Sequence, residues 1–269
     1  MSSAALTTGA AGDVLPGAAL AGEGIPSRWL GRLAFAPALA LQEDLRRRHA
    51  SVGDVVLLLE HEPVYTTGRG GRPENLGRVA ADPAIPFERI GRGGDVTYHG
   101  PGQLVGYALV DLRMRDRDVH RFLRQMETGV IWTLQALGVR ATRWPGRTGV
   151  WVVDRGTGVE SVAAEPTDVA HLDDHDMQLG RIRKIASLGV GVRGGVTMHG
   201  FALNVALDLA PFAAIVPCGL AGVHMTTVER EAARPVRSVR DVAMLAARHV
   251  GRALAWPYPH KAAFGEVSS

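Results

Sequence analysis

Of the 30 lysines and arginines in this 269-residue chain, only Lys184 and Lys261 are lysines, and Cys218 is the single cysteine. Arginine holds its proton at any workable pH whereas lysine can release one, so a position that needs a base resists replacement by arginine. Lys261 lies near the C-terminus in Pro-His-Lys-Ala-Ala and reads as a solvated charge. That leaves Lys184 as the candidate base, set against a compositional bias under which a surviving lysine is chance. A lone cysteine forms no internal disulfide, and a reducing compartment keeps it as a free thiol available for nucleophilic chemistry. Free cysteines are commonly inert and buried. The Pro-Cys-Gly setting of Cys218, a turn able to present a side chain, favours the nucleophile.

The densest polar signal is residues 92–107, Arg-Gly-Gly-Asp-Val-Thr-Tyr-His-Gly-Pro-Gly-Gln-Leu-Val-Gly-Tyr. Glycines there admit positive φ and let a ligand approach the backbone. With arginine, threonine, tyrosine and histidine beside them, the stretch reads as a binding wall more than as a plain turn. It is no phosphate loop, because the Gly-Lys-Ser/Thr ending is missing and it leads into a strand. Serine hydrolysis finds no support either, since no Gly-x-Ser-x-Gly elbow occurs. His171 and His175, four apart among aspartates, have helical metal-ligand spacing, but a solvated acidic loop explains the same letters and no further ligand cluster supports a metal.

These residues need elements to hold them. Residues 38–50 read as an amphipathic helix ended near Gly53, residues 55–59 as a buried strand, and residues 69–86 as a long loop or lid. Strands are expected at 96–98 and 103–109. The apolar spacing from Val119 to Leu137, with Asp118 as N-cap and Gly138 past the end, predicts a helix. Strands follow at 150–153, 184–192 and 196–205, then a capping-box-like Thr226 or Thr227 and a last helix from Ser238 to about Leu254. Strands and helices mix without regular alternation, which favours an α+β mixed sheet in a single domain. Residues 1–27 read as a disordered N-terminal extension, 28–255 as the domain with an exposed insertion at about 154–183, and 256–269 as a tail. Arg92 to Gly100 and Arg193 to Gly200 echo one another, as two similar strand beginnings facing one pocket would.

The chain carries 46% hydrophobic residues and a formal charge of +3, with a sequence pI near 9.4. Such a balance suits a globular protein with an acidic partner. No window reaches the roughly 18 apolar residues of a spanning helix, and no basic residue precedes Arg28 as in a secretory signal, so a cytoplasmic protein with no membrane partner is expected. A nucleic-acid partner would rest on the pI and the arginines of residues 113–124, which are interleaved with Asp116 and Asp118, and it is discounted.

Residues 92–106, together with Leu-Leu-Leu-Glu-His-Glu-Pro-Val-Tyr-Thr at 57–66, Pro-Glu-Asn-Leu at 73–76, Lys-Ile-Ala-Ser-Leu-Gly-Val at 184–190, His-Gly-Phe-Ala-Leu-Asn-Val at 199–205 and Val-Pro-Cys-Gly-Leu at 216–220, closely resemble the lipoyl(octanoyl) transferases. The resemblance runs from about residue 28 to about 255. It implies the α/β fold of the biotin and lipoate protein ligases, and an acyltransferase that moves an octanoyl group from an acyl carrier protein thioester to a lysine of lipoyl domains. Those acceptors would belong to the 2-oxoacid dehydrogenase complexes and the glycine cleavage H protein. By the same resemblance Cys218 carries the acyl group and Lys184 assists it. Substrate would be bound by Arg92, Gly93, Gly94, Asp95, Val96, Thr97, Tyr98 and His99, by Ser187, Leu188 and Gly189, and by Gly200, Phe201 and Ala202. Backbone N–H groups near the thiolate would hold the oxyanion. A thioester donor is already activated, so no nucleotide, metal or other cofactor is expected. The rival readings are an ATP-dependent lipoate or biotin protein ligase, which needs no thiol, and a non-catalytic binding module, which needs neither Cys218 nor Lys184.

Overall fold

The structure, a computed structural model, describes residues 15–77, 79, 84–154 and 173–255. Its elements run β1 (Ala18–Leu20), β2 (Ser27–Leu33), α1 (Phe35–Arg47), α2 (His49–Val52), β3 (Val55–His61), β4 (Val64–Thr67), β5 (Phe87–Arg89), β6 (Thr97–His99), β7 (Gln103–Leu109), α3 (Val119–Ala136), β8 (Ala141–Trp144), β9 (Arg147–Val153), α4 (Asp174–Gln178), β10 (Ile182–Arg193), β11 (Val196–Asn204), β12 (His224–Met225), α5 (Val228–Glu231) and α6 (Val239–Ala255). A nine-stranded mixed sheet has the order β1-β2-β3-β7-β11-β10-β9-β8, with β12 beside β10, and a small sheet has the order β5-β4-β6. This is the mixed α/β architecture expected.

Strand alternation divides the large sheet between two cores. Leu104, Ala108, Phe201 and Leu203 face α3 and α6, while Val105, Tyr107, Leu109 and Ala202 face α1. Helix α3 forms because Phe122, Met126, Val130, Ile131 and Leu134 recur on one face; all are at most 1% exposed, and each contributes about 1.5–3 kcal/mol of burial. Asp118 caps it by accepting from the Arg121 N–H, and Gly138 ends it at φ 76°. Helix α6 packs against α3 where Gly129 lacks a Cβ that would stand 2.6 Å from Val250 Cα.

Two domain boundaries differ from expectation. The extension expected to be disordered through residue 27 is ordered from Leu15 on: β1 pairs antiparallel with β2, and the Ile25 N–H donates to Gly251 O at 3.2 Å. Small residues make this possible, since a Cβ on Gly24 would lie 2.4 Å from Gly251 O; composition alone cannot tell such close packing from low complexity. The insertion expected through residue 183 folds from Asp173, where α4 begins, and Met177 and Ile182 bury against Trp144 and Trp151. His171, residues 1–14 and the tail from residue 256 lie outside the described residues.

Candidate active site

Cys218 and Lys184 arrive from a turn and a strand far apart in sequence. Lys184 lies on β10, paired with Trp151 of β9 and Met225 of β12, next to a bulge between Lys184 and Ala186. Its side chain is 2% exposed, with Nζ 5.0 Å from the centre of the Trp151 ring. Cys218 sits in a 3-10 turn, Pro217–Gly219, at the left-handed φ of 57°. That conformation is disfavoured for a residue with a Cβ and is held only where its surroundings fix it. The surroundings are segments flanking the small sheet: the Cys218 N–H donates to the carbonyl of Val96, just before β6, at 2.9 Å, and the Val216 N–H to Asn75 O, in the 3-10 turn Pro73–Leu76, at 2.9 Å. Asn75 Nδ2 in turn donates to Asp95 Oδ2 at 2.5 Å, and Asp95 Oδ1 accepts the Val96 N–H at 2.6 Å.

Burial pushes the Cys218 thiol up, but the Lys184 charge, hydrogen bonds from Ser187 and Lys184, and the Arg92 charge outweigh it, so the thiol lies below its ordinary value. Ser187 Oγ is 3.5 Å from Sγ. A depressed thiol beside an ammonium is the arrangement of an activated nucleophile. The N–H groups of Cys218, Gly219 and Leu220 are committed to the carbonyls of Val96, Val216 and Pro217, so a backbone oxyanion hole would have to use other N–H groups. The side-chain donors beside the sulfur are Ser187 and Lys184.

The pair opens on a pocket of about 510 Å³. Of the expected binding residues, Arg92, Gly94, Asp95, Thr97, His99, Ser187, Leu188, Gly189, Gly200, Phe201 and Ala202 line it; Gly93, Val96 and Tyr98 do not. Gly93 ties its loop to β10 by donating to Val190 O at 2.8 Å. Val96 and Tyr98 have the opposite strand parity to Thr97 and His99, so Tyr98 packs into the small-sheet core against Tyr65 and Phe212. On β6, alternate side chains point away from the pocket.

Arg92 is 8% exposed, yet its guanidinium meets neutral oxygens: Nη2 donates to Thr66 O at 2.8 Å and Thr66 Oγ1 at 2.9 Å, and Nη1 to Gly93 O at 3.0 Å. From Thr66 the chain of bonds continues to His99 Nε2 at 3.3 Å, and His99 Nδ1 bonds Gln103 Oε1 at 2.7 Å. Because Gln103 spends its own N–H groups on Tyr98 O and Asn204 Oδ1, His99 Nδ1 must carry the proton and Nε2 must accept. Burial, with His61 adding to it, pulls His99 down to about 3, so the ring is neutral.

Three residues at the site were not among the expected binding residues. Tyr107 lines the pocket and bonds His61 Nε2 at 2.6 Å; as His61 Nδ1 lies 2.9 Å from Leu33 O and must donate there, the Tyr107 hydroxyl is the donor to Nε2. His199 lines the pocket as the echo between the two Gly-rich stretches implied for His99, whereas Arg193 pairs at the surface with Glu43 at 2.8 Å. Gly149, at φ 136°, makes room for the lysine: a Cβ there would stand 2.7 Å from Lys184 Cε. Its N–H donates at 2.9 Å to Oε1 of buried Glu127, which Arg124 holds at 2.8 Å.

Gly149→Ala is therefore expected to cost about 1–3 kcal/mol of stability from backbone strain and to push the ammonium away from Cys218. Urea unfolding reads the first effect and iodoacetamide kinetics the second. An alkylation rate equal to that of the unsubstituted protein would show that Gly149 does not place the lysine.

A mixed sheet helix-covered on both faces thus holds a pocket in which a buried lysine meets a thiol held below its ordinary value. The chain belongs to the family described as the lipoyl protein ligase A/B catalytic domain, whose model matches residues 35–250. It is 46% identical over 211 residues to an octanoyltransferase of Geobacter metallireducens, covering 78% of this chain and 84% of the relative. To an octanoyltransferase of Geotalea uraniireducens it is 44% identical over 224 residues, covering 82% and 90%. Among solved structures, lipoate-protein ligase A bound with ATP superposes with a TM-score of 0.57 at 19% identity, covering 82% of each chain. A bipartite lipoate protein ligase from Thermoplasma acidophilum gives 0.54 at 16% identity over 84% and 82%. At such identities the structures speak for the fold alone.

Proposed function

We propose that the protein is an octanoyltransferase of protein lipoylation, moving an octanoyl group from a carrier thioester to a protein lysine through a thioester on Cys218. The observation that carries this reading is the Lys184–Cys218 pair, with the thiol below its ordinary value despite burial; the octanoyltransferase relatives supply the acyl group.

The Cys218 thiolate attacks the donor carbonyl, and the oxyanion develops toward the Ser187 hydroxyl and the Lys184 ammonium. As the carbon–sulfur bond to the carrier breaks, the carrier sulfur takes a proton from Lys184 and leaves as a thiol. Lys184, now neutral, accepts the proton of the incoming lysine amine, which attacks the acyl-enzyme and restores the Cys218 thiolate. The donor is an acidic acyl carrier protein and the acceptors are lipoyl domains, those of the 2-oxoacid dehydrogenase complexes and the glycine cleavage H protein. The scheme needs Cys218 as a free thiol, which fits a reducing compartment such as the cytoplasm. Among the described residues no helix is long and apolar enough to cross a membrane.

Intact mass after incubation with octanoyl-carrier thioester in nucleotide-free, chelated buffer tests the scheme. The expected result is a gain of one octanoyl group that hydroxylamine removes. An absolute requirement for ATP would move the protein to the ligases of the same fold, and an adduct that forms equally on a Cys218→Ala variant would remove the thiol from the chemistry.

A further inference from the structure

On the α1 face of the sheet, His199 breaks the parity of its own strand. Phe201 and Leu203, which share that parity, face α3 and α6, and Val196 and Ala202 face α1. His199 instead has φ 64°, and its ring lies edge-on to Tyr107, 6.1 Å between centres, in the pocket wall. A buried side chain enforces the turn: the His199 N–H donates to Oε1 of Gln42, fully buried on α1, at 2.8 Å. Non-glycine residues hold such a backbone only where the surroundings over-determine it.

The ring so placed is 4% exposed, and among the described residues no hydrogen bond reaches either of its nitrogens. Tyr107 cannot supply one, since its hydroxyl proton is given to His61. Burial and the Arg92 charge pull His199 down to about 4, so the ring is neutral. A neutral imidazole of this kind needs solvent or a ligand group on its nitrogens, and a bare hydrocarbon pressed against it leaves them unsatisfied.

Its position along the strand fixes what meets it. Cys218 lies against Ser187, which pairs with Ala202, and Val190 pairs with His199 three rows further on. Three rows of a strand span about 10 Å. An extended chain advances ~1.2 Å per bond, as three backbone bonds cover about 3.6 Å, so the eight bonds from Sγ to the terminal methyl of an octanoyl chain on Cys218 reach about 10 Å.

Building on the octanoyl-transfer reading, we propose that His199 is the end-stop of the acyl pocket, the residue that discriminates an eight-carbon chain from longer ones. An octanoyl chain ends at the near edge of the ring and leaves its nitrogens solvated. Two further methylenes strip that solvent and put nothing polar in its place, which is how a site with a buried polar group rejects a ligand that cannot satisfy it.

The test compares kcat/KM for Cys218 acylation by octanoyl-, decanoyl- and dodecanoyl-carrier thioesters in the unsubstituted protein and in His199→Gly. Glycine adopts the observed φ freely, so the substitution removes the ring and relieves the backbone. The decanoyl-to-octanoyl ratio is expected to rise at least tenfold in His199→Gly, and to rise less in His199→Asn, which tolerates the left-handed backbone and keeps a smaller polar group at the wall. If the glycine variant does not fold, the asparagine variant carries the same ratio measurement. Ratios within twofold of the unsubstituted protein, with Cys218 still acylated, overturn the end-stop alone. No adduct from any chain on the unsubstituted protein overturns the transfer reading and the end-stop with it.

Discussion

Cys218→Ser is expected to lower octanoyl transfer on the order of 10³-fold or more while leaving the fold in place. Serine fills the same turn at the same φ of 57° and keeps the N–H bond to Val96 O, so this anchor is undisturbed. The chemistry changes. A thiol starts near ~8.5, and the charges of Lys184 and Arg92 with the Ser187 hydrogen bond are enough to bring it below its ordinary value against burial. A hydroxyl starts several units higher, and the same partners leave it protonated. Transfer to an acceptor domain is the measurement, with circular dichroism as the check on folding. Turnover at the unsubstituted rate would exclude Cys218 as the nucleophile.

The second large effect belongs to Lys184, where two replacements separate its roles. Lys184→Met removes the ammonium, so the Cys218 alkylation profile should move to higher pH, and transfer should fall by about 10²–10⁴-fold with the acid–base step. Lys184→Arg keeps a cation that stabilises the thiolate but cannot take the proton of the acceptor amine. Its alkylation profile should therefore move less than that of the methionine variant while transfer stays low, and acyl-enzyme should accumulate. Arginine is longer and planar, and the lysine stem already passes where a Gly149 Cβ would stand 2.7 Å from Cε. Some loss of alkylation in the arginine variant is thus steric, and the pH at which alkylation sets in, more than its maximal rate, reads the charge. Transfer by Lys184→Arg at the unsubstituted rate would show that Lys184 is not the base.

How much of this was legible beforehand depends on the element. Helix α3 was readable because its apolar spacing, the Asp118 cap and Gly138 agree, and β7 was read at Gln103–Leu109 because it is an unbroken buried run. Strand β2 escaped because Arg28, Gly31 and Arg32 interrupt it, and its pairing with β3 shifts register between Trp29 and Arg32. The four-residue β8 and the three-residue β5 are too short to show a period. At the site, residue types marked Cys218 and Lys184 as candidates. That they meet was implied only by the resemblance, since no spacing rule relates a strand residue to a turn in another part of the chain. Alternation along residues 96–99 already separated Thr97 and His99 from Val96 and Tyr98. Gly149, Tyr107 and His199 act through missing atoms, a cross-sheet hydroxyl bond and an unusual backbone, none of which a residue letter encodes.

The Cys218 turn is held by segments flanking the small sheet, at Val96 and Asn75, while the ammonium beside its thiol rises from the large sheet. Neither sheet owns the thiolate. The acidity of Cys218 is a property of tertiary assembly, so a partly folded chain with the large sheet formed and the small one undocked would carry an ordinary, sluggish thiol. Such a chain cannot load itself prematurely from passing thioesters during synthesis. Both sheets must be in place before the sulfur meets the charge that lowers it.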